Sequence, residues 1–160
     1  MRNDILNLKE QIEQYIPYNE QEANDKHVML QYINKFDDVL TRKNEFGHFT
    51  ASSWAVNKNR TKVLMIYHNI YKSWAWTGGH ADGESDLLKT AVRELKEETG
   101  VENVKILKDE IFSLEITKSH FSLHALWCFK AQQINAGLQN LFNQSDQPDI
   151  ACLTILVLFF

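Results

Sequence analysis

Glu94, Glu97 and Glu98 crowd three carboxylates into the run VRELKEETGV, directly after Arg93. At about 100° per residue on a helix, all three fall on one face of the same rod. Like charges at that spacing repel, and the last two lie toward the negative end of the helix dipole, where anions are disfavoured. A glutamate-rich helix face is ordinarily a solvated one, but a solvated face does not need this spacing beside a glycine pair. A cluster of hard oxygen donors for a divalent cation explains it better, because Mg²⁺ takes carboxylates together with waters and phosphate oxygens. Phosphoryl chemistry is the natural use of such a cation, which neutralises charge, lowers the pKa of a bound water and stabilises a leaving oxygen.

The flanking residues supply the means to hold the cluster. Leu87, Leu88, Ala91, Val92 and Leu95 recur at helical spacing and predict an amphipathic helix with a buried stripe. Ser85 or Asp86 caps its start, and Gly100 ends it where a left-handed residue is wanted. Gly78 and Gly79 let the main chain pass close to a ligand, as larger residues would not. Trp74 and Trp76 alternate just before them in SWAWTGG, so one face of a short strand carries both rings toward the glycines. Such rings fill core or stack on a nucleobase; core is favoured for at least one, and Trp76 is the ring placed beside a substrate.

Gly79, Arg93, Glu94, Leu95, Glu97, Glu98, Gly100 and Val101 together resemble the Nudix box, written G-x5-E-x7-R-E-U-x-E-E-x-G-U with U aliphatic. One position departs: counted from Gly79, the first box glutamate falls on Ser85, with Glu84 and Asp86 on either side. The resemblance implies an α/β fold, a Nudix-type α/β/α sandwich with a mixed β-sheet, here preceded by an N-terminal helical segment. It implies Mg²⁺-dependent hydrolysis, with Mn²⁺ as a substitute, of the diphosphate linkage in a nucleoside diphosphate joined to another moiety. Glu94, Glu97, Glu98 and the Gly78 carbonyl are then the metal ligands, Gly79 lies against the substrate, and Arg93 orients the glutamates. Glu97 or Glu98 serves as general base, unless Glu84, Asp86, Glu110 or Glu115 takes that part. The alternative is a Nudix-like sensor that binds a nucleotide without cleaving it. An allylic diphosphate isomerase would need a cysteine and glutamate pattern flanking the box, and none is present.

A chain of 160 residues is the size of one domain with its own core. A net charge of -4 gives no overall attraction for nucleic acid or an anionic membrane, so no stable nucleic-acid partner and no membrane are expected, only a small-molecule diphosphate or nucleotide substrate. Self-association into a homodimer is left open. Cys128 and Cys152 lack metal-ligand spacing and read as buried free thiols, which with the absence of a signal-peptide-like start suits the cytoplasm.

Along the chain, Ile5, Leu8, Ile12 and Tyr15 predict a first helix stopped by Pro17. Asn24 or Asp25 caps a second that ends near Leu40, so that 1–44 forms a helical segment packed on a hydrolase domain of 45–160. Phe49–Val56 and Val63–Tyr67 read as a hairpin turned at Asn57 to Arg60, with His68 as a structural histidine at its end. VENVKIL, EIFSLEIT and Phe121–Ala131 suit strands, and His120 and His124 are too far apart on the last of these to share zinc. After about residue 132 the pattern becomes atypical for the family. The closing run ACLTILVLFF is either a buried strand or an exposed, aggregation-prone tail of an altered or truncated end.

Overall fold

The computed structural model describes residues 2–69, 72–118 and 148–159. Its elements are helices α1 (Arg2–Gln14) and α2 (Glu20–Lys35), strands β1 (Gly47–Asn57), β2 (Ile66–His68), β3 (Ser73–Ala75) and β4 (Thr77–His80), helix α3 (Leu87–Thr99), and strands β5 (Lys105–Ile106), β6 (Ile111–Lys118) and β7 (Pro148–Phe159). The main sheet runs β4-β1-β7-β5, with β6 also paired to β7, and is mixed: β1 is antiparallel to β4 and β7, whereas β5 and β6 run parallel to β7. The fold is α/β, as expected.

Local chemistry explains the helices. α1 turns its Leu8 and Ile12 inward, and its Pro17-containing connector leads to Asn19, whose side chain accepts from the Glu22 N–H at 2.9 Å. Asn19 is therefore the cap of α2, not Asn24 or Asp25, and the helix closes at Phe36 instead of near Leu40. Asn19 and Glu22 stand at capping-box spacing, and the local bond outcompetes any cap further along. Among the described residues no helix is long and apolar enough to cross a membrane.

The expected hairpin of Phe49–Val56 with Val63–Tyr67 is corrected. Asn57 does turn the chain, through its side chain accepting from the Thr61 and Lys62 N–H groups. The returning chain pairs with β1 only briefly, Val63 lying opposite Val56 with the Leu64 N–H donating to the Ala55 carbonyl at 2.9 Å and the Asn57 N–H to the Lys62 carbonyl at 3.1 Å, and β2 then leaves to pair with β3 in a separate two-stranded ribbon. The partners of β1 are instead β4 and the closing apolar run, which is a strand at the middle of the sheet and not a free tail. The strand expected at Phe121–Ala131, with His120, His124 and Cys128, lies outside the described residues.

Alternation gives the sheet two unlike faces. Phe49 and Ala51 of β1 and Leu114 of β6 join one continuous core with Leu8, Ile12, Met29 and Ile33 of the first two helices and Leu87 and Ala91 of α3. Ala55 packs in the same direction against Leu95. The helical layer thus presses α3 onto β1 and β4, which is what sets its acidic face at the sheet's edge.

Candidate active site

Asp86 caps α3 by accepting from the Lys89 N–H at 3.0 Å, and Gly100 ends it at φ 72°, the left-handed region that glycine enters without strain. With Leu87, Ala91 and Leu95 buried beneath, Glu94 and Glu98 meet β4, while Glu97 stays exposed beside Arg93. Two contacts lock helix to strand. A Cβ on Gly79 would lie within 2.6 Å of Glu94 Oε1, so the glutamate fills the space a side chain would need. The Gly78 N–H donates to Glu98 Oε2 at 3.1 Å. Gly78 is also hemmed in from β1, where a Cβ would come 2.7 Å from the Ala51 carbonyl.

Arg93 Nη1 reaches Glu94 Oε1 at 2.7 Å and Glu97 Oε2 at 3.2 Å, bridging two of the three carboxylates. Burial, and then the charges of Glu94 and Glu97, push the Glu98 carboxyl above its ordinary range, against the lowering effect of the Gly78 N–H. Among the described residues no three His, Cys, Asp or Glu side chains converge on one point as a ready cation cage. The donor set nonetheless suits a hard divalent ion: carboxylate oxygens on successive turns of one helix, repelling each other and held against the glycine backbone of β4. The Gly78 group engaged with a glutamate is its N–H.

The remaining predicted residues fall elsewhere. Trp76 is 8% exposed and packs against Trp54 at 4.0 Å between ring centroids, so the substrate-facing role given to it is corrected to a core one. The strand bearing both tryptophans is broken, and Trp74 sits instead on β3, edge-on to Tyr67. Glu84 is held by Lys89 Nζ at 2.6 Å and Glu110 by Lys108 at 2.9 Å, while Asp86 is used as the cap. Glu115 is buried in β6.

Sequence reasoning missed a cluster next to Gly79. His48 Nε2 lies 2.5 Å from His80 Nδ1, and Arg42 grips Asp82 with two bonds, of 2.7 and 2.5 Å. Burial, then the neighbouring His80 and Arg42 charges, hold His48 down at about 4. The Arg42 guanidinium keeps Asp82 below the usual carboxylate range. The alternation of β1 placed His48 on a face, but nothing local could pair it with a residue on β4.

The fold and site define an α/β domain in which a glycine-bearing edge strand and a glutamate-bearing helix form one unit. Residues 47–140 match the NUDIX domain family model, and the chain belongs to the Nudix family. An RNA pyrophosphohydrolase from Pelagibacter ubique (strain HTCC1062) is 28% identical over 94 residues, a stretch that covers 58% of this chain and 60% of that protein.

Proposed function

We propose that the chain hydrolyses the diphosphate linkage of a nucleoside diphosphate joined to another moiety, releasing two phosphorylated products. The observation that carries this reading is the pair of contacts, Glu94 against Gly79 and Glu98 on the Gly78 N–H, that holds two box carboxylates side by side against β4. Glu94, Glu97, Glu98 and the Gly78 carbonyl would hold Mg²⁺ or Mn²⁺. That ion, when bound, neutralises phosphoryl charge and makes water more acidic. Arg93 keeps Glu94 and Glu97 in register, since its Nη1 reaches both carboxylates. Glu97 or Glu98 takes the proton from the attacking water. The RNA pyrophosphohydrolase relative is in keeping with a substrate whose diphosphate hangs from a nucleoside. Residues 45–160 carry this activity in the cytoplasm, and residues 1–44 support it by packing.

The test is product release from a panel of dinucleotides, nucleotide sugars, coenzyme A and nucleoside triphosphates, with Mg²⁺ and with chelator. Cleavage of at least one compound, abolished by chelator and lowered by Glu98→Gln at least ten- to a hundredfold, is the expected result, since even groups one shell out from a metal cost about that much. A Glu98→Gln enzyme of wild-type rate would sink the assignment. Ser85 in place of the first box glutamate keeps a second reading in play, a nucleotide sensor that binds ligand and metal without cleaving. No product across the whole panel would establish that one instead.

A further inference from the structure

The overall charge of -4 conceals an uneven distribution. From Phe46 to Ala81 the chain has no aspartate or glutamate, although 21 stand elsewhere, and it carries Lys58, Arg60, Lys62 and Lys72. Lys58, Arg60 and Lys62 follow β1, and Lys72 immediately precedes β3. β1 is antiparallel to β4, with Ser53 opposite Thr77, so the end at which β1 turns is the end at which β4 begins. The turn and the β2–β3 ribbon also share a base, since Val56 and Val63 are buried with Trp76, and Trp54 and Met65 pack against them. Asp149 of β7, in register with Val56, has Lys105 of β5 on its other side.

Lys58, Arg60 and Lys72 are exposed and enter no ion pair among the described residues. Arg60 and Lys72 adopt φ of 55° and 50°, the left-handed region that asparagine or glycine enters at less cost. The turns themselves therefore do not account for cations at these positions. The ribbon between them turns an aromatic pair outward. Tyr67 of β2 stands opposite Trp74 of β3, the ring centroids 5.5 Å apart and edge-on, with 49% and 43% of the two residues exposed, while the other face buries Ala75. Exposed rings of this size mark contact surfaces. None of the aliphatic side chains described in 57–75 is exposed, which is unsuited to burial in lipid. Cations that track phosphates, beside rings on which unpaired bases stack, are what single-stranded nucleic acid requires. Trp74 stands four residues before Gly78, at most about 13 Å away along an extended strand.

We infer that the turn of Lys58 and Arg60, together with the ribbon of Tyr67, Lys72 and Trp74, is a binding surface for single-stranded nucleic acid, with phosphates on the cations and bases on the rings. The inference rests on the proposed function only for placing the diphosphate-bearing end of such a strand at the box. The surface itself uses no box residue.

The experiment is fluorescence anisotropy of a labelled strand of about ten nucleotides, as RNA and as DNA, in EDTA and between about 50 and 200 mM salt. The same strand without its bases, the duplex, and phosphatidylserine vesicles form the other arms, alongside urea unfolding of each variant. Wild type is expected to bind the strand with a log–log salt slope near about -2, as for roughly three phosphates. Arg60→Gly and Lys72→Gly should each make that slope shallower by about 0.7 without lowering the urea midpoint, because glycine adopts positive φ freely, and this separates recognition from structure. Tyr67→Ala should weaken the strand about fivefold or more and leave the base-free strand as it was. The inference is overturned if wild type binds neither RNA nor DNA, if the variants keep wild-type affinity and slope, if the duplex or the base-free strand binds as tightly, or if vesicles capture the protein in place of the strand. A protein that cleaves a diphosphate yet gives any of these results keeps its proposed activity and loses this surface. One that cleaves nothing but shows the expected losses keeps the surface and loses the activity.

Discussion

Gly79 has no side chain because Glu94 occupies the place where one would go. Alanine there must push the carboxylate aside or lift β4 from α3, and overpacking of this kind typically costs about 1–3 kcal/mol. Gly79→Ala is therefore expected to lower the urea midpoint, and the loss should largely vanish in a Glu94→Ala background, where the space is free. Additive losses in that cycle would show that the two residues do not meet. A second residue-scale expectation concerns acid. His48 falls from 6.5 to about 4 on folding, chiefly by burial and then by the nearby His80 and Arg42 charges, with Asp82 acting the other way. Between those values the unfolded chain takes up a proton that the folded one refuses, so stability declines as pH drops from 6.5 toward 4 and is unaffected above. The slope from this group is at most about 1.4 kcal/mol per pH unit. Urea midpoints at pH 7.5, 6 and 5 should fall less steeply for His48→Asn than for wild type; parallel slopes would remove His48 from the account.

The helical pair at the N-terminus is tied to the sheet by Asp25, which accepts from the Ile116 N–H, by Tyr32, which donates to the Gly47 carbonyl, and above all by the Glu22 carboxylate. Glu22, 3% exposed, accepts from the Tyr15 hydroxyl at 2.5 Å, the Tyr18 N–H at 2.8 Å and the Ser113 hydroxyl at 2.7 Å. Burial, reinforced by the bond to Glu22 and its charge, holds the Tyr15 phenol well above its ordinary range, so it remains a donor. Glu22→Ala leaves the Tyr18 N–H and the Ser113 hydroxyl without their acceptor, while the Tyr15 hydroxyl keeps the Phe112 carbonyl at 3.2 Å, and is expected to cost roughly 2 kcal/mol or more, whereas Asn19→Ala removes one cap and costs about 1 kcal/mol. Chemical unfolding of the two variants checks the order; equal losses would mean that Glu22 acts only as part of the cap. This element also shows what a sequence reveals. The box helix was legible to within a residue, its cap read as Ser85 or Asp86, because its stripe, its cap and its Gly100 stop are all local. The start of α2 was not, since Glu22 looks like any solvated glutamate until Tyr15 and Ser113 are known to face it. The β2–β3 ribbon and the His48–His80 pair, whose members stand 32 apart in sequence, depend on register, which no short-range pattern encodes. Trp76 was misplaced for the same reason: two alternating rings share a face only if the strand continues, and here it breaks after Ala75.

The molecule as a whole is held together by its least patterned segment. A continuous apolar run has no period from which to choose between helix, strand and tail, yet β7 lies along the whole of β1 on one side and along β5 and β6 on the other. Being paired on both edges puts this run at the centre of the sheet, and it is why the parallel and antiparallel halves of the sheet meet there. The site depends on this arrangement, because β1 is fixed by β7 behind it and by β4 in front, and β4 carries Gly78 and Gly79 to the helix. Two measurements follow. Amides of β7 from Ala151 to Val157 should exchange with deuterium as slowly as those of Thr50 to Trp54, since the pairing of one cannot open without the other. Leu156→Pro, which removes a ladder donor and forces the backbone of a central strand, should cost about 3 kcal/mol or more and abolish cooperative unfolding. It should also abolish nucleotide and phosphate binding together, although it touches no residue of the box. Fast exchange across β7 beside a protected β1, or a Leu156→Pro protein that unfolds like wild type, would mean that β1 takes its support from elsewhere.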